Sequence, residues 1–134
     1  MGDDKIKSNY PTMARYSMRS DITGEKSPIN WDTREFNYGI VYRNGIITID
    51  EPGFYRITAA ICMHDWSDTR GSQIAINTVV NGVSFLRACS TWGSPGLSYG
   101  IKYLDVFDTV YFEKKWGSST RYNNPSNYFS IEKL

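Results

Sequence analysis

The sequence predicts an all-β protein, a sandwich or barrel of antiparallel strands, and three observations support this. Short runs of alternating apolar and polar residues recur along the chain, separated by Gly, Pro, Asn, Asp and Ser. Aromatic residues make up 15% of the chain and include ten tyrosines, while Leu is scarce and Ile and Val are common, a mixture that suits strands. Helical periodicity is rare by comparison. A chain of 134 residues fits one domain of this kind.

The predicted elements follow a polar segment, residues 1–12, which shows no periodicity and is interpreted as a tail or linker. The domain is expected to cover residues 13–134. Tight turns are predicted at Asn44-Gly45 and Asn81-Gly82, because Asn-Gly supplies the positive φ angles that a hairpin needs. Pro52-Gly53 marks another turn. The ten predicted strands cover residues 14–18, 29–31, 39–42, 46–49, 54–63, 74–80, 85–89, 98–104, 109–115 and 128–133.

The predicted strand at residues 54–63 carries the clearest pattern. Tyr55 and Ile57 lie on one face, and Phe54 and Thr58 lie on the other. Neither face has the composition of a solvated surface, so burial on both sides is predicted. One face would fill the sandwich. The other needs a partner surface, which is either a second copy of the chain or a covering loop of the same chain.

Composition and motifs exclude several functional classes. The formal net charge of +1 lacks the basic excess of a nucleic-acid binder. No apolar run approaches the ~20 residues of a membrane helix, and the pattern of residues at the start is not expected to be a signal peptide. Cys62 and Cys89 are too few for a disulfide framework and are expected to be buried free thiols, with a bridge between them as the alternative. His64 is the only histidine and no nucleophile elbow is present, so an enzyme is not expected.

Three blocks of sequence, in order, match the pattern of a known family. The first block runs from Ile29-Asn30-Trp31 through Asn44-Gly45-Ile46-Ile47-Thr48 into Glu51-Pro52-Gly53-Phe54-Tyr55-Arg56-Ile57. The second is Tyr103-Leu104-Asp105-Val106-Phe107-Asp108-Thr109-Val110-Tyr111-Phe112, and the third is Asn127-Tyr128-Phe129-Ser130-Ile131 to Leu134. Over residues 14–134 the chain resembles a remote member of the globular heads of the complement component-one q-subcomponent, a branch of the tumour-necrosis-factor-like jelly rolls. It departs at Phe107, which replaces the family's Gly before Asp108, so that turn is expected to differ.

The resemblance implies a ten-stranded antiparallel jelly-roll sandwich that assembles as a compact homotrimer. Asp105 and Asp108 flank a turn and are a candidate calcium site, because some relatives bind calcium and this ion takes hard oxygen ligands. The alternative is that they cap the turn through Asx hydrogen bonds. No other cofactor is expected. The candidate residues for the trimer interface are Phe54, Thr58, Ala60, Cys62, Tyr103 and Tyr128.

Three of the four tryptophans lie in or beside long polar connections, at residues 64–71, 91–96 and 116–125. Successive connections of an antiparallel sandwich alternate between its ends, so these three should share one end. The short turns and both termini, with any stalk, should share the other. Loops on a rigid scaffold favour recognition, although a loop tryptophan can also fold back to plug the open end. The candidate ligand-binding residues are Asp65, Trp66, Asp68, Arg70, Trp92, Trp116, Arg121 and Tyr122.

The resulting hypothesis is a non-enzymatic trimeric recognition head on a stalk or fibre, outside the cell or on a virion or cell surface. It would bind a cell-surface glycan or protein receptor, as the tip of a viral or phage fibre or of a bacterial appendage. Neither nucleic acid nor membrane insertion is expected. Two alternatives stay open: a structural trimerisation cap that binds no ligand, and a monomeric lectin-like sandwich that binds carbohydrate.

Overall fold

The computed structural model describes residues 11–20, 22, 25–62, 73–91, 94–114 and 127–134. Within them the chain forms two five-stranded antiparallel sheets and no helix, so the predicted all-β sandwich of ten strands is confirmed. The strands are β1 (Met13–Ser17), β2 (Thr33–Tyr38), β3 (Val41–Arg43), β4 (Ile46–Thr48), β5 (Gly53–Ile61), β6 (Gln73–Val80), β7 (Val83–Thr91), β8 (Gly96–Leu104), β9 (Thr109–Glu113) and β10 (Tyr128–Lys133).

The strand order within each sheet is that of a jelly roll. Sheet I has the order β2-β1-β10-β5-β8, and sheet II has the order β3-β4-β9-β6-β7. The first and last strands of the chain pair in the middle of sheet I, where Met13 lies opposite Glu132. Because β5 then pairs with β10 on one side and with β8 on the other, sheet I is held together by contacts between distant parts of the sequence.

A cluster of aromatic rings fills the space between the sheets. The rings of Phe112 and Phe129 stack 4.8 Å apart, and Trp31 meets Phe129 edge-on at 5.6 Å. Tyr16 and Tyr42 lie 4.3 Å apart beside them. Offset and edge-to-face contacts of this kind stabilise by about 0.5–1.5 kcal/mol beyond the area that they bury. Burial raises the pKa of Tyr42 to about 12.

The prediction of a strand at residues 29–31 is wrong, and the strand that follows was missed. Ile29 and Trp31 are buried, but they belong to a connection in which the Ile29 amide donates to Phe112 and the Trp31 amide donates to the Tyr42 hydroxyl. The true strand, β2, is an edge strand without a fully buried residue. Its polar sequence lacks the alternation that reveals a half-buried strand.

Strand β5 buries only one of its two faces within the chain. Tyr55 and Ile57 lie in the core, and the Tyr55 hydroxyl donates to the Glu51 carbonyl at 2.6 Å. On the opposite face Phe54 is exposed, whereas Ala60 is buried. No described loop covers the Phe54 ring, so burial of this face against a second copy stays a prediction.

Small residues on the inner side of β8 let β7 close one side of the sandwich. A Cβ at Gly96 would lie 2.0 Å from the carbonyl oxygen of Cys89, and a Cβ at Gly100 would lie 3.2 Å from Leu86 and Phe85 side-chain atoms. The close approach of β7 therefore requires glycine at residue 96, because any side chain there would collide with the Cys89 backbone, which cannot turn aside as a side chain can.

The two cysteines do not form a disulfide, which agrees with the expectation of free thiols. The expectation that both are buried is wrong for Cys89, which is exposed on β7; Cys62 is partly buried. A search of the described residues finds no helix with the length and apolar character to cross a membrane.

Candidate functional site

The predicted recognition loops join strand ends that lie at the same end of the sandwich. Ile61, the last residue of β5, pairs with Gly96 at the start of β8. Ala60 pairs with Tyr128 at the start of β10. The structure therefore confirms that these connections leave from one end. Their candidate binding residues lie outside the described residues and stay a prediction: Asp65, Trp66, Asp68, Arg70, Trp92, Trp116, Arg121 and Tyr122.

A buried asparagine, Asn127, lies just before β10 and links this strand by hydrogen bonds to the ends of β5 and β1. The side-chain oxygen of Asn127 accepts a hydrogen bond of 2.7 Å from the Cys62 amide, just after β5. The Asn127 carbonyl accepts a bond of 3.2 Å from the Met18 amide, just after β1. Since Asn127 is fully buried, these bonds are shielded from water and hold together the strand ends from which the loops leave.

The short turns and both described chain ends lie at the opposite end. One carboxylate oxygen of Asp108 accepts from the Asp105 amide at 2.7 Å, and the other accepts from the Asn81 side chain at 3.0 Å. These two bonds lower the pKa of Asp108, the Asp105 bond having the larger effect. Both oxygens therefore have partners in the turns, as an Asx cap requires. No three potential ligands cluster anywhere in the described ranges, so calcium binding here stays a prediction.

Phe107 in the same turn has an unusual backbone conformation. Its φ of +73° is in the left-handed region that glycine adopts easily and other residues rarely do. The residue is 81% exposed, so no burial of its ring within the chain offsets the strain. Its amide donates to the Ile49 carbonyl at 2.7 Å. A positive φ costs a residue other than glycine about 1–2 kcal/mol, and whether this turn differs from that of the family stays a prediction.

Among the described residues, the most prominent exposed apolar area is the outer face of β8 and the start of β5. We call it the β5–β8 surface. It holds four side chains that follow one another at every second position of β8, together with one from β5. Their exposed fractions are Leu97 60%, Tyr99 68%, Ile101 50%, Tyr103 50% and Phe54 56%. Contiguous apolar surface of this kind marks an interaction site more often than an inert face.

The six predicted interface residues lie on the outer side of sheet I or at its end. Phe54 faces Tyr103 across the β5–β8 pair, and their rings meet edge-on at 5.3 Å. Thr58 follows on the same face of β5, with Ala60 beyond it opposite Tyr128 on β10. Cys62 comes just after β5. The structure therefore brings these residues onto one face, although Ala60 is already buried within the chain.

Sequence reasoning missed three members of the β5–β8 surface: Leu97, Tyr99 and Ile101. The sequence did indicate that these three residues share one face, since they alternate with Gly96, Ser98 and Gly100 along the strand. Alternation separates the two faces of a strand but does not say which of them is buried. The usual assignment places the larger apolar side chains inside, and here they are outside.

Comparisons with known proteins agree on the fold. No protein-family model and no curated protein matches the chain. Among solved structures it is similar to murine APRIL at pH 5.0, with a TM-score of 0.71 and 10% identity over 93% of this chain and 100% of that one. It is similar to Eiger TNF from S. frugiperda, with a TM-score of 0.69 and 14% identity over 93% of this chain and 94% of that one. It is also similar to rabbit GITRL, with a TM-score of 0.64 and 12% identity over 92% of this chain and 93% of that one. The chain therefore has a tumour-necrosis-factor-like jelly-roll fold, as its sequence pattern predicted.

Proposed function

We propose that this chain is a non-enzymatic recognition head that assembles as a homotrimer through the outer face of sheet I. The observation that carries the proposal is the β5–β8 surface. Five large apolar side chains there remain half or more exposed in a single chain. Burying such side chains against a second copy would stabilise the assembly by about 1 kcal/mol or more for each.

The distribution of polar and apolar residues favours a ring of copies over a symmetric pair. The β5–β8 surface lies at one edge of sheet I, while Met13, Phe36 and Tyr38 form a second, smaller apolar area at the other edge. Two different areas on one sheet suit a heterologous contact, in which one edge of each copy meets the other edge of the next. Such contacts close into a ring when the rotation allows it.

Recognition is assigned to the end of the sandwich that carries the long loops. The chain enters β1 and leaves β10 at the opposite end, where a stalk or fibre would attach. Loops with tryptophan beside Asp, Asn and Arg suit a glycan or a protein surface on a cell. Three such sites in one trimer would bind with avidity. A viral or phage fibre tip, or a bacterial surface appendage, is the setting that we propose.

The assembly is tested by sedimentation equilibrium of the whole chain. We expect a mass three times that of the 15.3 kDa chain. A single-chain mass over the whole accessible concentration range would contradict the proposal and favour the monomeric lectin-like alternative.

The recognition role is tested by measuring how much protein target cells retain and which glycans of an array it binds. A variant in a long loop is compared with a variant at the opposite end of the sandwich. Trp66→Ala is expected to weaken binding about tenfold or more, as loss of an aromatic anchor does. Phe107→Asn, at the opposite end, is the control and should bind as the wild type does. A stable trimer that binds neither cells nor glycans would instead indicate a structural trimerisation cap.

A further inference from the structure

One ion pair lies inside the apolar face of sheet I. Arg56 on β5 is directly opposite Glu132 on β10, and their Nη1 and Oε1 atoms are 2.8 Å apart. The two side chains are 44% and 40% exposed. The pair is therefore formed within one chain, but it is still in contact with water.

The register of the sheet gives the pair apolar neighbours on both sides. Arg56 lies opposite Ile101 on β8, and Glu132 lies opposite Met13 on β1. The next positions on the same face of β5 and β10 are Thr58 and Ser130, which carry no charge. Arg15 on β1 is a further charged group of this face, and its guanidinium carbon lies 3.8 Å over the centre of the Tyr128 ring.

We infer that Arg56 and Glu132 act as one unit that is desolvated on assembly, so that association tolerates the loss of both charges but not of one. This inference rests on the proposed trimer, in which a second copy covers this face. A charge that loses its partner and its water together is strongly unfavourable, whereas a matched pair, or no charge at all, is tolerated. The partner that this surface accepts is thus another copy in which Arg56 and Glu132 are both charged or both replaced by neutral residues.

The test is a double-substitution cycle measured as trimer dissociation constants by sedimentation. The variants are Arg56→Gln, Glu132→Gln and the chain carrying both. Each single variant is expected to weaken association by about 100-fold or more, because it leaves one buried charge unpaired. The double variant should return to within about tenfold of the wild type, since its two amides are neutral.

A second ion pair of the chain provides the matched control. Lys133 and Glu51 lie 3.7 Å apart, and Lys133 is in register with the core residue Tyr55 rather than with the outer face. Glu51→Gln should change the dissociation constant less than about threefold, as exposed pairs contribute little. Circular dichroism and thermal melts of all variants show whether each single chain is folded.

Additive effects, or single variants that associate like the wild type, would overturn the inference while leaving the trimer in place. A wild-type chain that never associates would overturn the proposed function and, with it, this inference. Single variants that dissociate while the double variant assembles would establish the coupling.

Discussion

Replacing Tyr99 by threonine is expected to dissociate the proposed trimer without unfolding the chain. Tyr99 is the most exposed residue of the β5–β8 surface, at 68%. An aromatic side chain buries roughly 200 Å² when fully covered, so about 130 Å² remains for a second copy to bury. At ~25 cal/mol per Å² this is about 3 kcal/mol for each copy, as an upper bound.

Even half of that value, summed over three copies, is about 4.5 kcal/mol and lowers the trimerisation constant about two thousandfold. The single chain should be little affected, because threonine keeps a high β propensity and the ring contributes nothing to the core. Sedimentation velocity over a wide concentration range measures the association, and a thermal melt measures the fold.

Val83→Thr is the matched control, since Val83 is 69% exposed and lies at the start of β7, which belongs to sheet II. It should assemble as the wild type does. The reasoning fails if Tyr99→Thr sediments as the same trimer at every concentration, or if Val83→Thr dissociates to the same extent.

Three further predictions concern the stability of the fold. Gly96→Ala places a Cβ 2.0 Å from the Cys89 carbonyl oxygen, which must move, so a loss of about 3 kcal/mol in the free energy of unfolding is expected from denaturant titration. Gly82→Ala, which meets no atom within 4 Å, should lose only about 1 kcal/mol from its positive φ; equal losses would count against the steric argument. Phe107→Asn should raise the free energy of unfolding by up to about 1 kcal/mol, because asparagine tolerates a positive φ better; a clear loss in the same titration would show that the exposed ring packs against something. The pKa of Asp108 is held below its ordinary value of 3.8, so its contribution is present above that pH and is lost as the pH falls through the lowered value. Asp108→Ala should therefore destabilise the chain near neutral pH, with a deficit that shrinks as the pH is taken progressively below 3.8, and a deficit that stays constant down to the acid limit of folding would contradict this assignment.

Turns were the most predictable local feature, because their chemistry depends on adjacent residues. Asn44 and Gly45 have φ angles of 51° and 85°, and Asn81 and Gly82 have φ angles of 50° and 81°. These are the positive values that an Asn-Gly hairpin turn requires. The alternation of Tyr55 and Ile57 likewise identified the core face of β5 correctly, because a strand repeats its environment every second residue.

Edge strands and long-range contacts were not predictable in the same way. Strand β2 has a polar sequence and no fully buried residue, so no local pattern distinguishes it from a loop. Ile29 and Trp31 show the converse case, since an apolar run was taken for a strand although these side chains are buried from a connection. In both cases the decisive contacts are with residues far along the chain.

By itself, the sequence determined an all-β antiparallel sandwich, the positions of its tight turns and the strand ends that share the loop end. These properties follow from residue-by-residue alternation and from turn chemistry, which are local. Only the tertiary structure decided which face of β8 is exposed. Because β7 packs closely against Gly96 and Gly100, the inner side of β8 has no room for large side chains at these positions, and the larger residues Leu97, Tyr99 and Ile101 are directed outward. At the end of the strand, away from these contacts, Leu104 is buried on the inner side.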